Sequence, residues 1–386
     1  MQMEEITPFK FGKTTDLDCF TNRDEERKKI KQNLLSGINT MLISPRRWGK
    51  SSLVEKIVSE LNVEKKNVKT VMLDVFAASN EEEFLNLFAR EVIKKSSKKW
   101  EDWMKSGKEF FKAIVPKISL GIDPINDFEI SFDWEELKKN KDEILNLPER
   151  IAQLKNIKYI ICIDEFQQIS EYDGYEQLEK KMRSVWQKQH HVSYCLYGSK
   201  RHMMSEIFNK PSKPFYRFGD IILLQKIKTE SWVSFIVSNF KKTKKSITKN
   251  EALFIVNAMR NHSWYVQQFS SYVWNKTKTS VTQDILNDAI EELVATNMPL
   301  FMREIEILSA TQVNFLKAVS QGENKLTSTA VMQKYHLGTP RNVSKNKQIL
   351  TYSDMLNFEN GEYEFLDPVF ELWFKKVFFR QDFLIK

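Results

Sequence analysis

Residues 40–53 read TMLISPRRWGKSSL. An apolar run, Met41-Leu42-Ile43, gives way to a turn-prone loop and then to Gly49-Lys50-Ser51. After it, Leu53, Val54, Ile57 and Val58 recur at helical spacing. Strand, loop and helix in that order are what a phosphate-binding loop requires. Successive backbone N–H groups and the new helix's N-terminus can cradle a phosphate chain. Lys50 adds a mobile point charge, and Ser51 can offer its hydroxyl to Mg²⁺. The expected nucleotide contacts are therefore Ser44, Pro45, Arg46, Arg47, Trp48, Gly49, Lys50, Ser51 and Ser52. Ser44 occupies the position of the motif's first glycine, and Gly-Lys-Ser after a strand can also begin an ordinary helix with a solvated lysine.

A second anchor lies at residues 159–168, YIICIDEFQQ. A continuous apolar run suits a parallel strand buried on both faces, and two adjacent carboxylates follow at its C-terminal end. Open α/β sheets place their chemistry there, and an acid pair at that point is costly without a cation or water. Asp164 can hold hydrated Mg²⁺, and Glu165 can orient and deprotonate an attacking water. Read singly, two acids after a strand are helix caps. Read with the upstream loop, they point to ATP or GTP.

Between and beyond these anchors the pattern keeps alternating. A strand is expected over 68–76, with Asp74 near its end as a cap or a ligand contact, and a helix opens at 79–83. Residues 94–141 read as an insertion carrying Trp100, Trp103, Phe110 and Phe111, with a short exposed strand at 128–132. A further strand ends at Gly198-Ser199-Lys200. There Ser199 can sense the γ-phosphate or the attacking water, or cap the next helix. Arg217, beside a last strand at 221–224, can complete a phosphate clamp within the subunit or on a neighbour. Upstream, Thr21 or Asn22 can cap a helix whose first turn is acidic.

At 386 residues the chain exceeds one small core, and about two to three domains are expected. The net charge of +8 favours an anionic partner without identifying it. Cys19, Cys162 and Cys195 make no metal or redox spacing, and the last two read as small buried hydrophobes, as in a reducing cytoplasm. No apolar signal core and no membrane-length apolar run is visible, so a soluble cytoplasmic protein is expected.

From Lys226 the alternation gives way to helices. Trp232, Phe235, Ile236 and Phe240 share a face, and Trp264, Tyr265, Phe269 and Tyr272 mark another apolar face of a small helical lid. A linker helix is expected over 282–295. Then come a helix from 308, a short helix over 327–335, a third over 341–355, and a hairpin over 356–365 turning at Asn360-Gly361. Together they spell a winged helix-turn-helix. Its third helix carries Arg341, Lys345 and Lys347, suited to phosphates or a major groove. Glu359, Glu362 and Glu364 on the wing would repel a duplex, so double-stranded DNA and a partner protein both stand as expected partners.

The pieces Phe20-x-x-Arg23-x-x-Glu26, Ser44 to Leu53, Ile163-Asp-Glu-Phe-Gln167, Tyr197-Gly-Ser199 and Phe215-Tyr-Arg217 together resemble the archaeal-type ATPases. That group lies within the AAA+ and STAND-like P-loop NTPases, near the origin-recognition ATPases. The resemblance covers nearly the whole chain, and Pro-Arg-Arg-x-Gly-Lys is characteristic of the group. It implies an α/β P-loop core with a mostly parallel sheet over 1–225, a helical lid over 226–300 and a winged helix over 301–386. It also implies ATP and Mg²⁺ as cofactors, Lys50 and Ser51 on phosphate and metal, Asp164 and Glu165 as the acidic pair, and Ser199 as first sensor. Arg23 and Glu26 would lie near the adenine. The expected function is an ATP-dependent switch with slow hydrolysis and a possible nucleotide-dependent oligomer. The alternatives are a DNA-binding regulator with structural nucleotide and a non-hydrolysing scaffold. Members usually carry glycine at the positions of Ser44 and Asn22, which bears on turnover more than on binding.

Overall fold

The apolar runs become the strands of one parallel sheet. A computed structural model describes residues 6–12, 22–96, 141–359 and 361–381. Cys19, Phe20, Thr21, the aromatics and strand expected within 97–140, Asn360 and Phe383 lie outside the described residues. The chain divides into two compact units. One holds Arg23–Arg46 and Lys50–Gln225, the other Met1–Asn22, Arg47–Gly49 and Lys226–Lys386.

In the α/β unit the order is α1 (Asp24–Leu35), β1 (Thr40–Ile43), α2 (Lys50–Glu64), β2 (Val68–Asp74), α3 (Glu81–Ser96), α4 (Lys141–Leu145) and α5 (Leu147–Lys155). There follow β3 (Lys158–Asp164), α6 (Tyr175–Trp186), β4 (Val192–Gly198), α7 (Arg201–Asn209) and β5 (Asp220–Leu223). All strand pairs are parallel, in the order β2-β3-β4-β1-β5. Strands β1 and β4 are buried along their whole length, as their mostly apolar character favours. Because β4 lies between β1 and β3, the segments following these three strands emerge side by side at the sheet's C-terminal edge. Cys162 and Cys195 face each other across β3 and β4 as buried thiols.

Two local expectations change. The strand expected over 68–76 stops at Asp74, whose carboxylate accepts the N–H of Phe76 at 3.0 Å and turns the chain into a 3₁₀ segment, Val75–Ala77. Helix α1 is not capped by Asn22. Arg23 is the N-cap, without a side-chain capping bond, and Asn22 and Arg23 both take left-handed backbone at φ +58° and +78°. Asparagine in place of glycine suits that conformation.

The helical unit contains α8 (Thr229–Lys242), α9 (Lys249–Ala258), α10 (Ser263–Lys276), α11 (Gln283–Glu306), α12 (Ala310–Ser320), α13 (Thr329–Lys334) and α14 (Pro340–Tyr352). The hairpin β6 (Leu356–Glu359) and β7 (Glu362–Phe365) and then α15 (Pro368–Phe379) complete it. Its helix starts are set by sequence: Thr248 with Glu251 and Ser309 with Gln312 form reciprocal capping boxes, and Thr339 and Asp367 cap α14 and α15. The hairpin is antiparallel, Leu356 opposite Phe365, with Gly361 at φ +86°. Helix α11 departs from expectation. The linker helix expected over 282–295 continues through Pro299 to Glu306. Pro299 costs a backbone bond, but Phe301 just beyond it is fully buried against Phe370 and Trp373, with ring centroids 5.4 and 5.6 Å away.

Candidate functional site

The strand order of the α/β unit brings five polar residues from three distant stretches of sequence together. Lys50 is the first residue of α2 and is buried. Its ammonium pairs with Glu165 Oε1 at 2.9 Å. Next to it, the Ser51 hydroxyl donates to Asp164 Oδ2 at 2.8 Å. From β4, the Ser199 hydroxyl donates to Glu165 Oε2 at 2.7 Å, and the Ser199 N–H approaches the same oxygen at 3.3 Å. Ser199 therefore faces the acid rather than capping α7, whose N-cap is Lys200.

The two carboxylates are held differently. Burial pushes Asp164 up to about 6, and Lys50 and the Ser51 hydroxyl only partly oppose it. Burial acts on Glu165 too, but the Lys50 charge and hydrogen bonds from Gln167, Lys50 and Ser199 outweigh it and hold the group below the usual carboxylate range. The undercompensated negative charge thus sits on Asp164. This donor set fits Mg²⁺ in kind, since a carboxylate and a hydroxyl are both hard oxygen ligands.

The backbone is arranged for the same end. Glu165 takes left-handed φ +49° directly after the strand, and its N–H bonds Asp164 Oδ1 at 2.8 Å. Gly49 has φ +90° with open space where a Cβ would stand, so glycine is needed there for conformation and not for room. Ser44 is buried without positive φ, and its hydroxyl bonds the Pro45 carbonyl at 3.0 Å. The missing glycine therefore costs no backbone strain at that position.

Other expected site residues fall elsewhere. Arg23 is buried and donates to Glu26 at 3.1 Å and to the Gln225 carbonyl, which ties the start of α1 to the end of β5. Arg217 is not brought to the acids. It is exposed and lies over the neighbouring Tyr216 ring, just before β5, whose first residue pairs with Thr40 at the start of β1. That places the start of β5 at the edge of the sheet opposite the phosphate loop. Arg46 is exposed and Ser52 half-buried. Arg47 belongs by its contacts to the helical unit, where its guanidinium lies 4.7 Å over the Trp264 ring. In α14, Arg341 and Lys345 are exposed on one face, four residues apart. Lys347 does not share it: its ammonium sits 3.2 Å over the Phe358 ring of the wing. Two residues farther along a helix is about 200° of rotation. His262 is buried as packing, with its ring 5.0 Å from that of Tyr265.

Gln167 was not singled out from sequence. Its amide donates to Glu165 Oε2 at 2.5 Å, and Gly198 makes room for it, since a Cβ there would stand 1.9 Å from Gln167 Oε1. The readable signal was the glycine immediately before Ser199.

A "Probable winged helix domain" family model matches residues 299–376. No curated protein matches the sequence. Among solved structures, the chain is similar to the Walker-type ATPase of Pyrococcus abyssi, at 17% identity and TM-score 0.66, covering 96% of this chain and 100% of that one. It is also similar to the Aeropyrum pernix ORC2 protein in its ADPNP–ADP complexes, at 14% identity and TM-score 0.57, covering 94% of each chain. The fold is that of the P-loop ATPases with a C-terminal winged helix. No helix among the described residues is long and apolar enough to cross a membrane.

Proposed function

We propose that this chain is an ATP-binding switch that hydrolyses ATP slowly with Mg²⁺ and repositions its winged-helix domain. The observation that carries this reading is the convergence of Lys50 on Glu165 at 2.9 Å and Ser51 on Asp164 at 2.8 Å, two paired contacts more than 110 residues apart in sequence. Lys50 and the first N–H groups of α2 would take the phosphates. Ser51 and Asp164 would hold Mg²⁺, which when bound supplies charge neutralisation at the phosphate oxygens. Triphosphate competes with Glu165 for the Lys50 ammonium, which would leave the carboxylate, still oriented by Ser199 and Gln167, able to accept a proton from water. The nucleotide complexes of the Aeropyrum pernix neighbour support nucleotide on this fold.

In this reading residues 1–225 form the core, 226–300 the lid and 301–386 the winged domain, with Arg23 and Glu26 near the base. Arg217, at the far sheet edge, serves only a neighbouring subunit. The test is calorimetry and phosphate release on the purified chain. Wild type should bind Mg-ATP, Lys50→Ala should lose affinity on the order of 10- to 100-fold, and Glu165→Gln should bind ATP without releasing phosphate. Normal hydrolysis by Glu165→Gln would remove the base assignment. A second reading, a DNA-binding regulator with structural nucleotide, is favoured by the exposed Arg341 and Lys345. Nucleotide-independent duplex binding with a steep salt slope would select it.

A further inference from the structure

Two consecutive residues at the crest of the phosphate loop have side chains committed to contacts that the phosphate reading does not use. Arg47 holds φ +65°, a conformation that costs an L-residue energy and so depends on its surroundings. Its guanidinium lies over Trp264, and Nη1 stands 3.5 Å from the Tyr265 hydroxyl. Tyr265, itself buried, donates a short hydrogen bond to Asp367 Oδ2. The other Asp367 oxygen accepts the N–H groups of Val369 and Phe370 at 2.9 Å each, as the N-cap of α15. Arg47, Tyr265 and Asp367 thus form a chain in which every hydrogen bond points the same way, from guanidinium to phenol to carboxylate. A cation on the phenol oxygen strengthens its donation to the acid, and the acid caps the helix that closes the winged domain.

The adjacent residue repeats the theme. The Trp48 ring lies 5.5 Å from the Lys226 ammonium, and Lys226 pairs with Glu364 on the wing strand β7. Asp367 is half-buried, and the fields of Arg47 and of Glu304 on α11 both reach it, so the cation's position decides how well the acid is compensated. All of these residues lie in the helical unit.

We propose that Arg47, Tyr265 and Asp367 couple the phosphate loop to the winged domain: the loop's crest conformation sets how firmly α15 is capped. A rearrangement of the loop that relaxes the left-handed Arg47 withdraws the cation from Tyr265 and weakens the cap. This rests on the loop being the phosphate site, because phosphate is the ligand that would rearrange it. Arg47 acts as a positioning residue, through Tyr265, and not as a phosphate ligand.

The test is amide hydrogen exchange on the full chain, read at Val369 and Phe370, for wild type, Arg47→Ala, Arg47→Lys, Tyr265→Phe and Lys50→Ala. Without nucleotide, Arg47→Ala and Tyr265→Phe should speed exchange at these two amides by roughly fivefold, the scale of a weakened cap. Arg47→Lys should restore part of the protection, and Lys50→Ala should leave it as in wild type. Protection in Arg47→Ala equal to wild type overturns the proposal, as does an equal loss throughout the helical unit, which marks general destabilisation. With Mg-ATP, wild-type exchange at these amides should change and that of Tyr265→Phe should not; equal changes in both overturn it. Calorimetry on the same samples separates the two readings. Failure to bind Mg-ATP removes the phosphate assignment, while the nucleotide-free comparison still decides the coupling.

Discussion

Glu165 is held by three side chains from three segments, and the least obvious is Gln167. Gly198 is the residue that lets Gln167 in. In Gly198→Ala the new Cβ would fall 1.9 Å from the Gln167 amide oxygen and 2.9 Å from Met204 Sδ. Both are ends of flexible side chains, so the expected cost in stability is small, about 1–2 kcal/mol. The functional cost should be larger, because Gln167 must leave Glu165. Phosphate release should drop about tenfold while Mg-ATP affinity stays put, and Gln167→Leu should match that loss with little change in melting temperature. Unaltered turnover in both variants would show that Gln167 does not help to orient the acid. At this scale the sequence carried much: Lys50 and Ser51 follow a glycine at the start of a helix, and Asp164, Glu165 and Ser199 close or directly follow apolar strands, so the five were readable as a set. For Arg217 the choice between its own subunit and a neighbour stays open in the sequence, because an arginine's neighbours along the chain say nothing about which end of a parallel sheet its loop occupies. That is fixed by pairing with β1 more than 170 residues upstream.

Among the elements, α14 shows how rotation divides charges that look alike on paper. Arg341, Lys345 and Lys347 are three cations of one short helix, yet the third lies on the wing aromatics, 3.2 Å over Phe358 and 5.6 Å from Tyr363. Burial lowers its affinity for a proton, a cost that the ring contacts offset. Lys347→Ala should therefore act on folding, lowering winged-domain stability by about 0.5–2 kcal/mol, as read from hydrogen exchange in β6 and β7. Arg341→Ala and Lys345→Ala should leave that exchange unchanged, and if the domain contacts a duplex, each should reduce the salt slope by about one. A stable Lys347→Ala with weakened duplex binding would return Lys347 to the nucleic-acid face. Helix α11 carries the complementary lesson. Periodicity gives a helix only over 282–295, but the buried Phe301 carries it past Pro299 through tertiary packing that no local window contains.

Over the whole molecule, the two compact units carry separate hydrophobic cores, one around the parallel sheet and one running through the helical unit from α8 to α15. Alternation of strand and helix made the first legible, and helical periodicity the second. The grouping of Arg47–Gly49 with the second was not legible, because three loop residues carry no pattern of their own. Separate cores predict separately addressable stabilities, and Glu179 provides the handle. It lies on α6 in the α/β unit, almost fully buried, and neither carboxylate oxygen has a hydrogen-bond partner among the described residues. Burial pushes it up to about 7, with the Lys213 charge opposing and Glu176 and Glu206 adding to the rise. An acid whose folded value is raised contributes stability that is complete below its ordinary value of 4.5 and is lost as pH climbs through about 7. Glu179→Gln, which stays neutral, should therefore match wild type near pH 4.5 and gain steadily to pH 7. Above that it should hold a constant advantage, on the order of a few kcal/mol at most. The gain should appear in exchange-resistant amides of β3 and β4 and leave those of α10 and α12 untouched. A pH-independent difference between variant and wild type would mean that Glu179 is ionised and paired in solution, and an equal gain in both sets of helices and strands would mean that the two cores melt as one.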